Sequence, residues 1–189
     1  GYDEETVEPF LAYQRRSFGR SRFRLFEDFF EDFLHEPTDH GVYHRMLDDF
    51  EAHCEAAYRS AAVLPGVEAY LQILEQRGEP RFVVSGTEQN QLRGVLGRKG
   101  LDSAFEEILG SPETKIANTS SILENHGLQA ASGAFYGDAL ADFECALALG
   151  LDFVFVASRA LDPQPILDQA ARCRNFRSID SFMELITDA

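Results

Sequence analysis

Five residues in the second half of the sequence have the types that bind phosphate and a divalent cation. Ser85 with Gly86, then Lys115, then Asp138 with Asp142 each follow a short apolar run. A hydroxyl beside backbone N–H groups can hold an anion, and a lysine can balance its charge. Two carboxylates four residues apart suit a hard cation such as Mg²⁺. Together these residues could hold a phosphate ester and its metal ion.

Each of these features also has a simpler structural explanation. Ser85, Gly86 and Thr87 could do no more than cap a helix. Asp142 could be an ordinary acidic residue in the first turn of its helix. Lys115 is harder to explain in this way, because a cation just inside a helix N-terminus opposes the helix dipole. Local rules are broken most often at functional sites, so Lys115 favours the functional interpretation.

The periodicity of the sequence changes at Pro65-Gly66. Upstream, the spacing is helical throughout, and a stripe of aromatic residues predicts a packing face, formed by Phe23, Phe26, Phe30 and Phe33. Downstream, short apolar strands alternate with helices, which predicts a parallel sheet covered on both faces. We therefore predict an α/β fold class, with a helical cap domain over residues 1–62 and an α/β core domain over residues 63–189.

The predicted sheet gives the candidate residues a common location. Ligands of parallel α/β sheets bind at the carboxyl ends of the strands. Ser85, Lys115 and Asp138 each follow a different predicted strand. We therefore expect all three to lie at the carboxyl edge of one sheet.

The order of these segments resembles a known family. Residues 85–87 (SGT), 110–115 (GSPETK) and 136–146 (YGDALADFECA) resemble motifs two, three and four of the haloacid dehalogenase-like (HAD) phosphatases. Residues 64–78 (LPGVEAYLQILEQRG) resemble the helix that re-enters the core after the inserted helical cap of the phosphoglycolate phosphatase-like branch. The resemblance covers the whole chain. It implies a HAD-like, Rossmann-like core with a helical cap.

The resemblance also implies a reaction and a role for each residue. The family hydrolyses small phosphate monoesters with Mg²⁺, through an aspartyl-phosphate. By the match of motifs, Ser85 supplies a catalytic hydroxyl to the phosphoryl group, and Gly86 binds phosphate beside it. Lys115 balances negative charge. Asp138 is the expected Mg²⁺ ligand, supported by Asp142.

The family's first motif, DxDGT or DxDGV after an apolar strand, is not recognisable in this sequence. The nearest segment, residues 2–7 (YDEETV), follows no apolar strand, has Glu5 as its second acid and lacks the glycine. We expect roughly 30 residues carrying the nucleophilic aspartate to lie upstream of Gly1, enough for a strand, a loop and a helix. By the family's usual order, the added strand lies beside the strand that ends at Asp138. The chain as given is predicted to be catalytically inactive.

Two other classes of protein remain open. One is a phosphate- or Mg²⁺-binding regulatory protein that has lost motif one, which an intact DxD in the full-length sequence would rule out. The other is an interaction module that keeps the fold as a scaffold. Retention of Ser85, Lys115 and Asp138 together argues against the second.

The resemblance also implies that loops of the cap determine which substrate binds. Arg22, in the arginine-rich turn 15–22, is the candidate residue for contact with the substrate. The alternative interpretation is that the Arg22 side chain is solvated or forms ion pairs with acidic residues of the cap.

Composition restricts the partners. The net charge is −15, from 32 acidic and 17 basic residues, so the chain has no general attraction for nucleic acid or anionic membrane. No apolar run approaches the ~20 residues that span a bilayer. Three cysteines without a CxxC pair indicate neither a disulfide framework nor a zinc site. We expect a cytoplasmic monomer or homodimer that acts on a small phosphorylated metabolite.

Overall fold

The computed structural model of the protein describes residues 2–187. The predicted domain limits at Gly1 and Ala189 therefore lie outside the described residues, and the division into 1–62 and 63–189 stays a prediction. Within the described part, none of the helices combines the length and apolar character that crossing a bilayer requires.

The first third of the chain is helical, as predicted. Its elements are α1 (Glu4–Arg16), α2 (Arg22–Asp28), a π-helical turn (Phe29–Leu34) and α3 (His40–Ser60). Acidic residues cap two of these helices. The Asp3 carboxylate accepts the backbone N–H of Thr6 at 3.0 Å, and Asp39 accepts that of Gly41 at 2.8 Å. Such caps satisfy N–H groups that have no partner inside the helix.

The predicted aromatic stripe is confirmed as a packing face. The core of the helical segment consists of Phe10, Phe26, Phe29, Phe30 and Leu47, with Phe23 and Phe33 packed partly buried against it. Phe29 was not part of the predicted stripe. The wider turn of the π-helix changes the register after Asp28, so two consecutive aromatic rings point inward.

The rest of the chain alternates between helices and strands. In chain order the elements are α4 (Val67–Gln76), β1 (Phe82–Glu88), α5 (Gln89–Arg98), β2 (Glu107–Ser111), α6 (Lys115–Asn125), β3 (Ala134–Gly137), α7 (Leu140–Leu149), β4 (Asp152–Val156), α8 (Gln164–Leu167), β5 (Phe176–Ile179) and α9 (Met183–Thr187). Short 3₁₀ turns interrupt the loops, at Asp102–Ala104, Ala130–Ser132, Ala157–Arg159 and Ala170–Arg172. The protein therefore has the mixed α/β fold that the sequence predicts.

All the strand pairs are parallel, as expected, but the strands form two sheets. β1 pairs with β2, and β4 lies between β3 and β5. The prediction of one sheet is wrong. β1 and β3 each pair with one neighbour within residues 2–187, so each keeps an unpaired edge. The turn at Gly19 approaches Gly86 at the end of β1 and Ala139 just after β3, so cap residues lie where the two strand ends converge.

The central strand of the three-stranded sheet is buried on both faces. Phe153 and Phe155 pack into one core cluster, with Phe143 of α7. Val154 and Val156 point to the opposite face and pack with residues of α4, β5 and α9. Side chains of a strand alternate between faces, and a parallel strand covered by helices on both faces is apolar throughout. β3 pairs with this buried strand along Ala134–Gly137, and Asp138 follows directly after that pairing.

Candidate active site

A cavity of about 300 Å³ lies between the helical segment and the ends of β1 and β3. All of the predicted site residues line it: Ser85, Gly86, Lys115, Asp138, Asp142 and Arg22. The first five lie on the core side and Arg22 lies on the cap side. The structure thus brings together residues that lie in or follow strands of two separate sheets and one residue of the helical segment.

Ser85 lies in an irregular part of β1 rather than at a helix start. The strand continues to Glu88, and its register with β2 shifts between Val84 and Glu88. The cap of the following helix is Glu88, whose carboxylate accepts the N–H of Gln91 at 2.8 Å. The Ser85 hydroxyl accepts the N–H of Thr87 at 3.1 Å. Its own proton therefore remains available for donation to a ligand.

Gly86 lies where the cap turn meets the core. A Cβ at this position would be 2.7 Å from the carbonyl oxygen of Gly19, closer than such atoms approach. Gly19 itself has φ +87, and a Cβ there would be 2.6 Å from the Ala139 methyl group. Two glycines therefore allow close contact between cap and core. The hydroxyl group of Ser111, at the end of β2, donates a hydrogen bond to the Gly86 carbonyl at 2.8 Å and ties this segment to the neighbouring strand.

Lys115 and Asp142 form an ion pair inside the site. Lys115 is the first residue of α6, after Thr114, which caps the helix. Its ammonium group contacts Oδ1 of Asp142, and Oδ2 of Asp142 accepts the N–H of Ala139 at 3.1 Å. The carboxylate offsets the unfavourable position of a cation at a helix N-terminus. It also leaves two of the three ammonium donors of Lys115 for other partners.

Asp138 is the carboxylate of the site that is most open to a cation. Burial raises its pKa, the neighbouring Asp142 charge raises it further, and Lys115 offsets part of this. A cation that supplied opposite charge would relieve both effects. Both oxygens of Asp142 are engaged, whereas the part of the chain that the structure describes offers the Asp138 carboxylate no hydrogen bond or ion pair with another residue. Within residues 2–187 no group of three or more acidic, histidine or cysteine side chains is arranged to hold a metal ion. The donors present thus fit Mg²⁺ through one direct ligand, Asp138.

Asp3 does not belong to this site. It caps α1 through Thr6, is exposed, and is not among the residues that line the cavity. The hydrogen bond with Thr6 holds the pKa of its carboxyl below the usual range.

Several residues of the cavity were not predicted from the sequence. Phe50, Cys54 and Tyr58 line it from α3, and their four-residue spacing places them on one face of that helix. The hydroxyl groups of Tyr58 and Thr87 are hydrogen-bonded at 3.1 Å, which ties α3 to β1. Gln91, which contacts Arg22, had no distinguishing feature in the sequence.

The family of the protein follows from a match to a family model. The model for haloacid dehalogenase-like hydrolases matches residues 13–156, which include all the site residues described above. The chain therefore belongs to the haloacid dehalogenase-like hydrolase family. No curated protein gives a significant match to the chain.

Solved structures show the same fold at low sequence identity. One described as a predicted phosphoglycolate phosphatase from Haemophilus somnus has a TM-score of 0.70 and 16% identity, covering 97% of this chain and 87% of its own. One described as a predicted phosphatase from Clostridium acetobutylicum has a TM-score of 0.71 and 18% identity, with 97% and 88% covered. A HAD-superfamily hydrolase from Ehrlichia chaffeensis has a TM-score of 0.54 and 19% identity, with 67% and 57% covered. The chain thus spans little more than half of this last protein.

Proposed function

We propose that this protein is a Mg²⁺-dependent phosphatase that hydrolyses a small phosphate monoester through an aspartyl-phosphate. The observation that carries the proposal is the convergence of Ser85, Lys115 and Asp138 on one cavity. They come from three different β–α units, and each supplies a different requirement of phosphoryl transfer. Positioning and charge compensation supply most of the catalysis in such reactions.

The residues of the chain have distinct tasks in this proposal. Ser85, whose oxygen accepts an N–H from Thr87, would donate its proton to a phosphoryl oxygen. Lys115 would direct its free N–H donors to the same group, and Asp142 would hold that ammonium in place. Asp142 would therefore act through Lys115 rather than as a direct ligand. Asp138 would bind Mg²⁺, which supplies further charge compensation when bound.

The nucleophile would be an aspartate on a strand outside the given sequence. Its carboxylate would attack phosphorus and release the alcohol, and water would then hydrolyse the aspartyl-phosphate to regenerate the carboxylate. The unpaired edges of β1 and β3 support this proposal, since an additional strand there would join the two sheets. Such a strand would end beside Ser85 and Asp138.

The main competing function is a phosphate- or Mg²⁺-binding protein without catalysis. The observation that favours it is that the acidic residues lining the cavity are Asp138 and Asp142, neither of which is placed as a nucleophile. Both functions share the same binding site. They differ in turnover, and therefore in whether a nucleophile is supplied.

The test uses a form of the protein that includes motif one, with p-nitrophenyl phosphate as the probe. We expect hydrolysis with MgCl₂ and its loss in EDTA. Asp138→Asn should remove most of the activity, and Lys115→Ala should lower kcat about 100-fold, as for the loss of one preorganised electrostatic group. Equal turnover in EDTA would overturn the proposal.

A further inference from the structure

The hydrogen-bond ladder between β1 and β2 is interrupted where β1 borders the cavity. On either side of the interruption, the paired residues are Val84 with Leu109 and Glu88 with Ser111. Residues 85–87 therefore lie opposite a single residue of β2 and line the cavity. Main-chain groups in such an interruption lose their ladder partners and need others where water does not reach them. The shape of this segment therefore depends on contacts outside the ladder.

The side chain of Ser111 supplies one of these contacts. Ser111 is 0% exposed, and its hydroxyl donates to the carbonyl oxygen of Gly86 at 2.8 Å. The end of β2 is itself held, because Nδ2 of the buried Asn118 donates to the carbonyl oxygen of Gly110 at 3.0 Å. Ser111 is not among the residues that line the cavity within residues 2–187. It therefore supports the phosphate-binding segment from behind, without touching a ligand.

The group that Ser111 holds is the peptide group between Gly86 and Thr87. In a planar trans peptide, the carbonyl and the N–H point in opposite directions. Ser111 binds the Gly86 carbonyl, and Oγ of Ser85 accepts the Thr87 N–H at 3.1 Å. One rigid group thus connects the buried hydroxyl of Ser111 with the Ser85 hydroxyl at the cavity. A rotation of this peptide group would break both hydrogen bonds together.

The hydrogen bonds of this chain all run in the same direction. Ser111 donates to the peptide carbonyl, the peptide N–H donates to Ser85, and the Ser85 proton is left for a phosphoryl oxygen. Hydrogen bonds in such a sequence polarise one another, so each strengthens the next donor. A serine that accepts the N–H two residues further along makes only a weak local turn by itself. Support from Ser111 would therefore both orient the Ser85 hydroxyl and strengthen its donation.

We propose that Ser111 is a positioning residue of the phosphate site, which orients the Ser85 hydroxyl through the 86–87 peptide group. This inference rests on the proposed function, because that function assigns Ser85 to the phosphoryl group. The Gly86 N–H belongs to the preceding peptide group, so Ser111 acts on Ser85 and not on that donor. Without the Ser111 hydroxyl, the Gly86 carbonyl loses its donor and the peptide group can turn away from Ser85.

Binding of inorganic phosphate to the 189-residue chain with MgCl₂ tests this role, by calorimetry. Catalytic and non-catalytic functions share this binding site, so the measurement does not depend on turnover. Ser85→Ala should weaken phosphate binding about 10-fold, as expected for the loss of one hydrogen bond to a charged group. Ser111→Ala should weaken it about 5-fold, because the Ser85 hydroxyl is kept but is no longer held.

The double variant separates positioning from a general effect on the fold. If Ser111 acts through Ser85, Ser111→Ala should weaken phosphate binding no further in a chain that already carries Ser85→Ala. A merely structural role would give the same loss in both backgrounds. The rise in melting temperature produced by MgCl₂ alone should also be unchanged in Ser111→Ala, since Asp138 lies on the other sheet.

Two further variants serve as controls. Thr119→Val removes another buried hydroxyl, which accepts a hydrogen bond from Sγ of Cys145 at 3.4 Å, and should keep the wild-type affinity for phosphate. Ser111→Cys keeps a weaker donor at the same position and should bind phosphate with intermediate affinity. This variant replaces Ser111→Ala in the comparison if the alanine variant does not fold.

The outcomes distinguish this inference from the proposed function. Wild-type phosphate affinity in Ser111→Ala or Ser111→Cys would overturn the positioning role, while weak binding by Ser85→Ala would still support the phosphate site. Equal losses with and without the Ser85 hydroxyl would also overturn it, as would the same loss in Thr119→Val. If the wild type binds no phosphate, or if Ser85→Ala binds it equally well, both proposals fall.

Discussion

Lys115 and Asp142 form a contact that joins two successive β–α units at the carboxyl edge. They are 27 residues apart in sequence, and their side chains are 12% and 8% exposed. The pair holds a cation where the helix dipole disfavours one.

The ion pair makes a prediction about stability that is independent of catalysis. Lys115→Met would leave a buried carboxylate without its counter-ion, next to Asp138. We expect the free energy of unfolding to fall by roughly 3 kcal/mol, as for a buried pair that loses one partner. Urea denaturation measures this loss. The double variant Lys115→Met/Asp142→Asn should recover part of it, and additive losses would contradict the pairing.

Asp138 should reduce stability in the absence of a metal ion. Its raised pKa means that its contribution to stability is full below the ordinary value of 3.8 and is lost as the pH rises through the folded pKa. At pH 7, Asp138→Asn should therefore stabilise the metal-free chain by about 0.5–2 kcal/mol, as is common for substitutions at functional sites. MgCl₂ should raise the melting temperature of the wild type and not of the variant.

Asp152→Asn is a control for Asp138→Asn, because the expected change in stability has the opposite sign. Hydrogen bonds from Arg174 and Asn175 hold its pKa below the usual range, despite the opposing effect of desolvation. Asp152→Asn should lower the free energy of unfolding slightly at pH 7. At pH 3 the loss should be smaller. A loss of stability in both variants would show that Asp138 is not disfavoured as a carboxylate.

Much of this site could be predicted from the sequence, for identifiable reasons. The change of periodicity at Pro65-Gly66 located the start of the alternating helices and strands, and α4 begins there at Val67. Ser85, Lys115 and Asp138 could be brought together because parallel strands place their carboxyl ends at one edge. These features depend on local spacing and on a general rule of topology.

Other features depended on contacts that local spacing does not encode. Gln91 contacts Arg22 across 69 residues, and nothing in its neighbourhood distinguishes it from a surface glutamine. The extension of β1 through Ser85 reflects a register shift opposite β2, which periodicity does not reveal. The two-sheet arrangement likewise depends on which strand edges find partners.

Gly19 should be required for the cap turn to contact the core. Gly19→Ala places a methyl group 2.6 Å from that of Ala139, at a backbone φ of +87. Gly100→Ala is the matched control, with φ +68 and no atom within 4 Å. Both variants carry the cost of a left-handed backbone, and Gly19→Ala should lose about 1–3 kcal/mol more through overpacking. Equal losses in thermal or urea denaturation would contradict the close contact.

Cys54 offers a probe of occupancy of the cavity. Burial raises the pKa of its thiol above the usual 9.0, and the thiolate is the reactive form. The rate of alkylation by iodoacetamide should therefore rise with pH with a midpoint above 9.0. Inorganic phosphate with MgCl₂ should slow the reaction at Cys54 and leave that at Cys173, which is outside the cavity, unchanged. Equal protection of both thiols would indicate a global effect instead.

The 189-residue chain should bind phosphate without hydrolysing its esters, because the aspartates that line the cavity within residues 2–187, Asp138 and Asp142, have other roles in the proposed function. A peptide that carries an apolar strand followed by DxDGT should pair with the unpaired edges of β1 and β3. It should raise the melting temperature and produce Mg²⁺-dependent turnover of p-nitrophenyl phosphate. The matched peptide with Asn in place of the first Asp should raise the melting temperature and produce no turnover. Robust turnover by the chain alone, confirmed by mass to begin at Gly1, would falsify this assignment, and Asp3→Asn would then be the next variant to measure.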